Sequence, residues 1–300
     1  MNNPPRIGFV GFGEAAWHIA QGLREAGLAH ICAYDSNANA PILGDKIQRR
    51  AASSQVALTV DSAALTENSD VIFSAVTASS AAVAAAQTAP FLQPRHLYID
   101  LNSVSPKLKQ AIARTIGDAG ARFVEAAVMA PVPPYGHRAP MLLGGVHAPA
   151  FVELFAPYGM KLEVVADTIG AAVAVKMCRS IIVKGLEALL FECVLGARKY
   201  GAEERVFASL QESFPGLDWR KMADYMVGRV IEHGERRARE MEEVAATLRD
   251  ADIEPFLADA IARRQDWGAR LNLLPHFGGA APKTYQEVLR ALDAISGPPQ

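Results

Sequence analysis

Short apolar runs alternate with amphipathic stretches along the first half of the chain. The runs lack a polar face and therefore predict buried strands; they lie at 6–10, 30–34, 70–75, 97–101 and 122–126. Between them, 15–26, 79–89 and 106–119 have the apolar spacing of helices, and the first of these stretches is followed by Gly27, a natural helix stop. Such alternation predicts an α/β fold, a doubly wound Rossmann sheet with parallel strands and crossover helices.

The pattern changes after about residue 168, where helical spacing replaces alternation. A long apolar run covers 168–200, and the helical stretches after it are broken by proline or glycine at 215–216, 255, 275–279 and 298–299. The chain of 300 residues, half of them hydrophobic, is long enough for two cores. We therefore predict a Rossmann domain over 1–167 and an all-α domain over 168–300.

Polar residues interrupt the long helical run, and apart from one adjacent pair they are three or four residues apart, which places them on one helix face: Lys176, Arg179, Ser180, Lys184 and Glu187. An ion pair between Lys184 and Glu187 at a solvated edge would explain part of this stripe. Lys176 lies among small apolar residues instead. Because a buried ammonium requires a partner, Lys176 is a candidate functional residue.

A glycine-rich turn joins the first predicted strand to the first predicted helix. It reads Gly11-Phe12-Gly13-Glu14-Ala15-Ala16. Gly11 would permit a tight turn, Gly13 would let a pyrophosphate approach the N–H groups at the helix start, and Ala16 would allow close packing. The first five residues of this turn are therefore candidate cofactor contacts, although a glycine turn without a ligand is the alternative.

Asp35 ends the second predicted strand, 22 residues after Gly13. This interval is typical of the acid that accepts the ribose hydroxyls of a dinucleotide. A carboxylate there would repel a 2′-phosphate, and the neighbouring Ser36 and Asn37 offer no cation. The sequence therefore favours NAD over NADP, with the basic pair 49–50 as the alternative source of a phosphate contact.

Composition excludes several classes of function. A net charge of -2 without a basic stripe argues against nucleic-acid binding, and no apolar stretch is long enough to span a membrane. The N-terminus lacks signal-peptide features, so we expect a cytoplasmic protein with a small-molecule substrate. Three widely spaced cysteines, Cys32, Cys178 and Cys193, are expected to be small core residues, and the seven scattered histidines predict no metal site.

Further candidate residues follow the later strands, where parallel sheets collect their ligands. Val76, Thr77 and Asn102 are candidate cofactor contacts, and Ser103 and Met129 with Ala130 are candidate substrate contacts. The loop 131–138 carries Tyr135, His137 and Arg138, and it is either a cap over the substrate or a surface loop. The charged run 233–243 favours a solvated, salt-bridged helix over a substrate site.

Four ordered motifs resemble those of the β-hydroxyacid dehydrogenases, which include 3-hydroxyisobutyrate and 6-phosphogluconate dehydrogenases. They are Gly11-Phe-Gly13 with Asp35, the stretch 100–106, the stretch 125–130, and Gly170 followed by Lys176 and Ser180. The resemblance covers about residues 1–200. It implies an N-terminal Rossmann domain, a helical C-terminal domain, a homodimer, and reversible hydride transfer between a nicotinamide cofactor and a hydroxy acid.

The resemblance implies that Lys176 is the catalytic acid/base and that Ser103 holds substrate. An ammonium beside a cationic nicotinamide would have its pKa lowered towards working pH, as this role requires. The chain departs from the family pattern at Met129, where a serine is usual, and at Ser180, where asparagine is usual. Arg179 could replace the lost anion contacts, because a guanidinium binds a carboxylate at two points.

Three other functions stay open at the level of sequence. An imine reductase shares the fold, but the retained Lys176 counts against it, since many of those enzymes have aspartate or tyrosine there. A phosphogluconate-type decarboxylase would need a phosphate-binding cluster, for which 236–239 is ambiguous. A nucleotide-binding module without turnover is the third.

Overall fold

The computed structural model describes residues 4–296, of Ser296 only the backbone. The chain forms two compact units, Met1–Lys176 and Met177–Gln300. The first unit contains a mostly parallel sheet with helices, and the second contains helices. The predicted fold class, a Rossmann unit followed by an all-α unit, is confirmed.

The sheet of the first unit has eight strands in the order β3-β2-β1-β4-β5-β6-β7-β8. The strands are β1 (Ile7–Val10), β2 (Ile31–Tyr34), β3 (Ala57–Leu58), β4 (Val71–Ser74), β5 (Leu97–Asp100), β6 (Arg122–Val128), β7 (Met141–Gly144) and β8 (Leu162–Ala166). Neighbouring strands are parallel except β6 and β7. The prediction of parallel pairing therefore missed the antiparallel β7.

Six helices connect these strands: α1 (Glu14–Glu25), α2 (Leu43–Ser53), α3 (Ser62–Glu67), α4 (Ala81–Thr88), α5 (Pro106–Asp118) and α6 (Ala148–Phe155). The sheet separates two cores because consecutive strand residues face opposite sides. Phe9 and Phe73 pack with α1 and α6 on one face, and Val10 and Ile72 pack with α4 and α5 on the other. Burial on both faces explains why the central strands are continuous apolar runs.

The strand order reverses at β1, which lies between β2 and β4. In a doubly wound sheet this is the topological switch point, and a crevice opens there between the connections that leave in opposite directions. Gly11 follows β1 and Ala75 follows β4, so both lie at the carboxyl edge of the sheet beside this crevice.

The helices after the sheet are α7 (Ala171–Lys199), α8 (Glu203–Ser213), α9 (Trp219–Arg249), α10 (Phe256–Arg270) and α11 (Tyr285–Ser296). Their core includes Phe191, Val230 and Tyr285. The helix breaks agree with the predicted breaks at 215–216, 255 and 275–279, while 298–299 lie outside the described residues. A search of the described helices finds none long and apolar enough to cross a membrane.

Candidate functional site

The turn after β1 requires glycine at its first position. Gly11 has φ +82°, and a Cβ there would lie 2.6 Å from Val76 Cγ1 and 2.7 Å from the Ala75 carbonyl oxygen. The Gly11 N–H donates to the Tyr34 carbonyl at 2.8 Å, which ties the turn to the end of β2. The turn thus lies close against the ends of β2 and β4, and a side chain at residue 11 would prevent this close approach.

Gly13 leaves space where a ligand could approach α1. It is the N-cap residue of α1 and offers no side chain to the N–H groups of the first turn. A Cβ on Gly13 would have no atom within 4 Å, and Glu14 and Ala15 are exposed beside it. The first-turn N–H groups of a helix attract anions, so this part of the turn fits a diphosphate.

The Asp35 carboxylate is held at the end of β2 by two backbone groups. Its Oδ2 accepts from the Phe12 N–H at 2.8 Å, and its Oδ1 accepts from the Asn37 N–H at 2.9 Å. The Phe12 side chain is wholly buried in the core. Phe12 therefore orients Asp35 through its backbone, and its side chain is unavailable to a cofactor.

Most of the predicted cofactor residues line one cleft of about 530 Å³: Gly11, Gly13, Glu14, Ala15, Asp35, Val76 and Thr77. Ser79 and Ser80, which precede α4, and Gln87 within it also line this cleft. Sequence reasoning missed them, although their position just after β4 was a usable signal. The lining residues include no lysine, arginine or histidine.

Asn102 supports the cleft from behind instead of lining it. Its side chain is buried, its Oδ1 accepts from the Val76 N–H at 2.8 Å, and its Nδ2 donates to Ser74 Oγ at 2.9 Å. Asn102 thus positions Val76, which does line the cleft, and its own contact with the cofactor stays a prediction.

Beneath Asn102 lies a fully buried ion pair that sequence reasoning missed. Lys109 Nζ is 3.2 Å from Asp100 Oδ2, and both side chains have no exposed surface. The same Nζ donates to the carbonyls of Asn102 at 2.7 Å and Asp100 at 3.1 Å, and Asp100 Oδ1 accepts from the Asn102 N–H at 2.9 Å. These bonds fix the turn that leads to the half-buried Ser103. The signal was Lys109 itself, a cation on the same helix face as Ile112 and Ile116.

Glu125 joins β6 to the start of α7. Its two carboxylate oxygens accept from the N–H groups of Gly170 and Val173, each at 2.5 Å. Burial raises the pKa of Glu125 above its ordinary value. These two hydrogen bonds and the charge of Lys109 offset only part of that rise. Lys176 lies one helical turn after Val173 and is half-buried.

Two other candidate substrate residues follow β6. Met129 and Ala130 are both half-buried, and the Met129 N–H donates to the Pro140 carbonyl at 2.8 Å. They therefore lie at the carboxyl end of their strand, on the same edge of the sheet as Asn102 and Ser103.

The polar stripe of α7 continues into the helical unit, where its partners differ from those predicted. Lys184 lies 2.9 Å from Glu240 and donates to Ser180 Oγ at 2.9 Å. Glu187 pairs with Arg237 at 2.6 Å. The predicted pair between Lys184 and Glu187 is thus replaced by pairs with α9, because this stripe is buried between helices.

Burial acts on the charges of this stripe in opposite directions. It lowers the pKa of Lys184 and raises the pKa of Glu187, and the partners on α9 oppose both shifts. Ser180 is buried with its hydroxyl bonded to Lys184, whereas Arg179 is exposed. Of the two, Arg179 is the residue whose side chain is open to a ligand.

The charged run of α9 is only partly solvated. The exposed Arg236 pairs with the half-buried Glu240, and the exposed Arg239 pairs with the exposed Glu242, so these predicted salt bridges form. Arg237 is buried, so the solvated prediction is wrong for this residue. The cysteines also differ: Cys32 is buried, Cys193 is half-buried and Cys178 is exposed, against the prediction that all three are core residues.

The loop 131–138 packs along α1. His137 is buried and its Nε2 is 2.9 Å from the Tyr158 carbonyl, and a Cβ on Gly22 would collide with the imidazole. Gly22 is about 13 Å along α1 from Gly13 at 1.5 Å per residue. Tyr135 and Arg138 line a separate cavity of about 570 Å³ there. The loop thus lies against the part of α1 remote from Gly13, and its role as a cap over the substrate stays a prediction.

Comparisons with known proteins match both halves of the chain. Residues 6–137 match the NAD binding domain of 6-phosphogluconate dehydrogenase, and residues 197–268 match a domain of unknown function, DUF1932. An uncharacterised 28.5 kDa protein from Methanothermus fervidus is 27% identical over 255 residues, which are 84% of this chain and 94% of that protein.

Solved structures agree with these matches. A conserved hypothetical protein from Sinorhizobium meliloti 1021 is 41% identical over 88% of each chain, with a TM-score of 0.73. The conserved protein MTH1747, described as structurally similar to 3-hydroxyacid dehydrogenases, is 32% identical over 89% of this chain and 98% of its own, with a TM-score of 0.71. At lower identity the fold alone is shared with a Mycobacterium tuberculosis 3-hydroxyisobutyrate dehydrogenase (16%, TM-score 0.71, 96% of this chain and 99% of that one) and a Myxococcus stipitatus imine reductase (15%, TM-score 0.55, 96% and 100%).

Proposed function

We propose that this chain, which belongs to the β-hydroxyacid dehydrogenase family, transfers hydride between a nicotinamide cofactor and a hydroxy acid or related alcohol. The observation that carries the proposal is the cleft at the switch point. There Gly13 leaves open space beside the first turn of α1, and Asp35 is fixed at the end of β2. Its residues fit a dinucleotide in shape and in chemistry.

Each part of the cleft would hold a different part of the cofactor. The turn from Gly11 to Ala15 would hold the diphosphate, Asp35 would accept the ribose hydroxyls, and Val76 and Thr77 would form the opposite wall. When bound, the cofactor supplies the hydride acceptor or donor, so the chain's own residues bind, orient and handle the proton.

Lys176 is the proposed acid/base. In alcohol oxidation its neutral Nζ would accept the hydroxyl proton, and in reduction its ammonium would return that proton. Ser103 would donate a hydrogen bond to the reacting oxygen, and Met129 and Ala130 would flank the substrate. Arg179, which is exposed, would bind a substrate carboxylate through its guanidinium group.

NAD is the proposed cofactor because the cleft carries a carboxylate and its lining residues include no cationic side chain. A 2′-phosphate near Asp35 would meet like charge without a compensating partner. We expect NAD to bind at least about tenfold more tightly than NADP, a difference of about 1.4 kcal/mol. Equal affinities in titration calorimetry would contradict this preference.

Substitution of Lys176 tests the reaction class. With NAD and a panel of hydroxy acids, alcohols and amines, Lys176→Ala should lower kcat by about 10²–10⁴-fold while the cofactor Kd stays unchanged. Lys199→Ala, at the exposed end of the same helix, is the matched control and should keep full activity. Full turnover in Lys176→Ala would remove the proposed role, and turnover of amines alone would favour an imine reductase.

We further propose a homodimer that acts in the cytoplasm. Ile182, Leu189 and Leu257 are large apolar residues with most of their surface exposed, and exposed apolar patches are typical of association surfaces. Sedimentation of wild type and Leu189→Glu would test this, with a dimer that dissociates in the variant as the expected result and a monomeric wild type as the contradicting one.

A further inference from the structure

We propose that Glu125 is a positioning residue that fixes the start of α7, and with it Lys176, to the sheet. This inference rests on the proposed function of Lys176, since the anchored helix carries that residue. Glu125 itself is wholly buried on β6 and is separated in sequence from the amides it binds by 45 and 48 residues.

The start of α7 has donors that its own sequence cannot satisfy. The first N–H groups of a helix have no intrahelical acceptor, and a side chain at the N-cap commonly supplies one. Gly170 directly precedes α7, has φ +107° and has no side chain. Glu125 accepts from two N–H groups at this helix start, those of Gly170 and Val173, each at 2.5 Å, and its charge lies at the positive end of the helix.

The surrounding backbone is shaped to this carboxylate. Gly144 on β7 is the register partner of Glu125, and a Cβ there would lie 2.7 Å from Glu125 Oε2 and 2.9 Å from the Thr168 carbonyl. A larger residue at 144 would therefore push the carboxylate away from α7. The close approach is specific, because only glycine leaves room for both the acid and the segment before the helix.

The anchored segment also lies against the helix that follows Ser103. Gln110 of α5 donates to the Ile169 carbonyl at 3.1 Å, and a Cβ on Gly170 would be 3.2 Å from Pro106 Cβ. The first turn of α5 and the start of α7 are thus packed together. The anchor consequently fixes the helix of Lys176 beside the loop that carries Ser103.

The nearby cation, Lys109, is engaged by another carboxylate, so the main hydrogen-bond partners of Glu125 are the amides at the start of α7. Asp100 is its register partner on β5, so two carboxylates lie on adjacent strands. Lys109 forms its ion pair with Asp100 and bonds to two carbonyls of the same turn. Glu125 instead directs both oxygens to the amides of α7, where a neutral side chain would be a poor replacement.

Glu125→Gln tests the anchor with little change in size. One carboxylate oxygen becomes an NH2 group that faces an amide donor, so amide hydrogen exchange over 170–176 should become at least tenfold faster. We expect kcat to fall by about 10- to 100-fold, since small misplacements of a catalytic group are costly, while the cofactor KM and Kd stay unchanged. Glu153→Gln, exposed on α6, should change neither exchange nor kcat.

Gly144→Ala provides a second perturbation that leaves Glu125 in the chain, for use where Glu125→Gln does not fold. It should accelerate exchange over the same amides, whereas Gly117→Ala, whose Cβ meets no atom within 4 Å, should not. Unchanged exchange in both Glu125→Gln and Gly144→Ala would overturn the anchor. If both variants exchange faster but the wild-type protein turns over no substrate, the anchor is supported and only the proposed catalytic role of Lys176 is rejected.

Discussion

Removal of the buried Lys109 ammonium should destabilise the N-terminal unit more than removal of any surface lysine would. Lys109→Met leaves the Asp100 carboxylate buried without its ion-pair partner at 3.2 Å and removes the donor to two carbonyls. Breaking one side of a buried pair costs about 3–5 kcal/mol. For a unit of this size each kcal/mol lowers Tm by about 2–4 °C, so we expect a loss of about 6–20 °C.

A second substitution separates the charge from the geometry. Asp100→Asn keeps an oxygen that can accept from the Asn102 N–H, but it removes the charge left by Lys109→Met. The double variant should therefore be less destabilised than the sum of the two single variants, by about 1–3 kcal/mol of coupling. Lys46→Met, exposed on α2, is the control and should stay within about 0.5 kcal/mol of wild type.

Fluorescence can follow this unit separately, because Trp17 is the tryptophan of residues 1–176 and the other two, Trp219 and Trp267, can be replaced by phenylalanine. Trp17 is half-buried, and its Nε1 donates to Ser53 Oγ at 3.1 Å, so its emission should change on unfolding. A Lys109→Met protein that melts within about 2 °C of wild type, or strictly additive effects in the double variant, would show that the buried ion pair does not stabilise this unit as proposed.

Three further predictions concern the N-terminal unit. Gly13→Val should fill the space beside α1, weaken NAD binding at least about tenfold in titration calorimetry and leave Tm within about 2 °C, since its Cβ meets no atom within 4 Å. Gly11→Ala should instead lower Tm by several degrees, because φ is +82° and the Cβ collides with Val76; an unchanged Tm would contradict this. His96, which directly precedes β5, is buried with its Nε2 3.1 Å from the Thr66 carbonyl oxygen. Burial lowers the pKa of His96 and of His137 below the ordinary value of 6.5, so the unfolded chain binds protons more tightly. The free energy of unfolding should fall as pH drops through about 6.5 towards the folded pKa values. If the free energy of unfolding of the double variant His96→Gln/His137→Gln falls equally steeply, these two histidines are not the cause.

The central strands could be predicted because burial on both faces makes them continuous apolar runs. β1 and β4 are examples, and their observed bounds lie within about a residue of those predicted. β8 could not be found in this way, since Val164 and Val165 are exposed at the sheet edge, and β3 is only two residues long. The antiparallel β7 depends on pairing with β6, which apolar spacing does not reveal.

The residues of the candidate site also differ in how far they could be predicted from the sequence. Gly11, Gly13 and Asp35 could be predicted because a strand, a turn and a helix fix their spacing locally. Lys109 lies only seven residues after Asn102, and its place on the buried face of α5 was a usable signal. Glu125 could not be assigned from local sequence, because it binds amides that follow it by 45 and 48 residues. Such contacts depend on strand order and on the packing of α5 and α7.

Transfer of deuterium from NADH to a substrate would show hydride transfer by this protein directly. The protein would be incubated with NADH labelled with deuterium at the transferable position and a panel of oxo acids, aldehydes and imines, and products would be analysed by mass spectrometry. We predict a hydroxy acid that carries the deuterium on its carbinol carbon, with formation strongly reduced in Lys176→Ala. Label in an amine alone, or in no product although NADH binds, would contradict it.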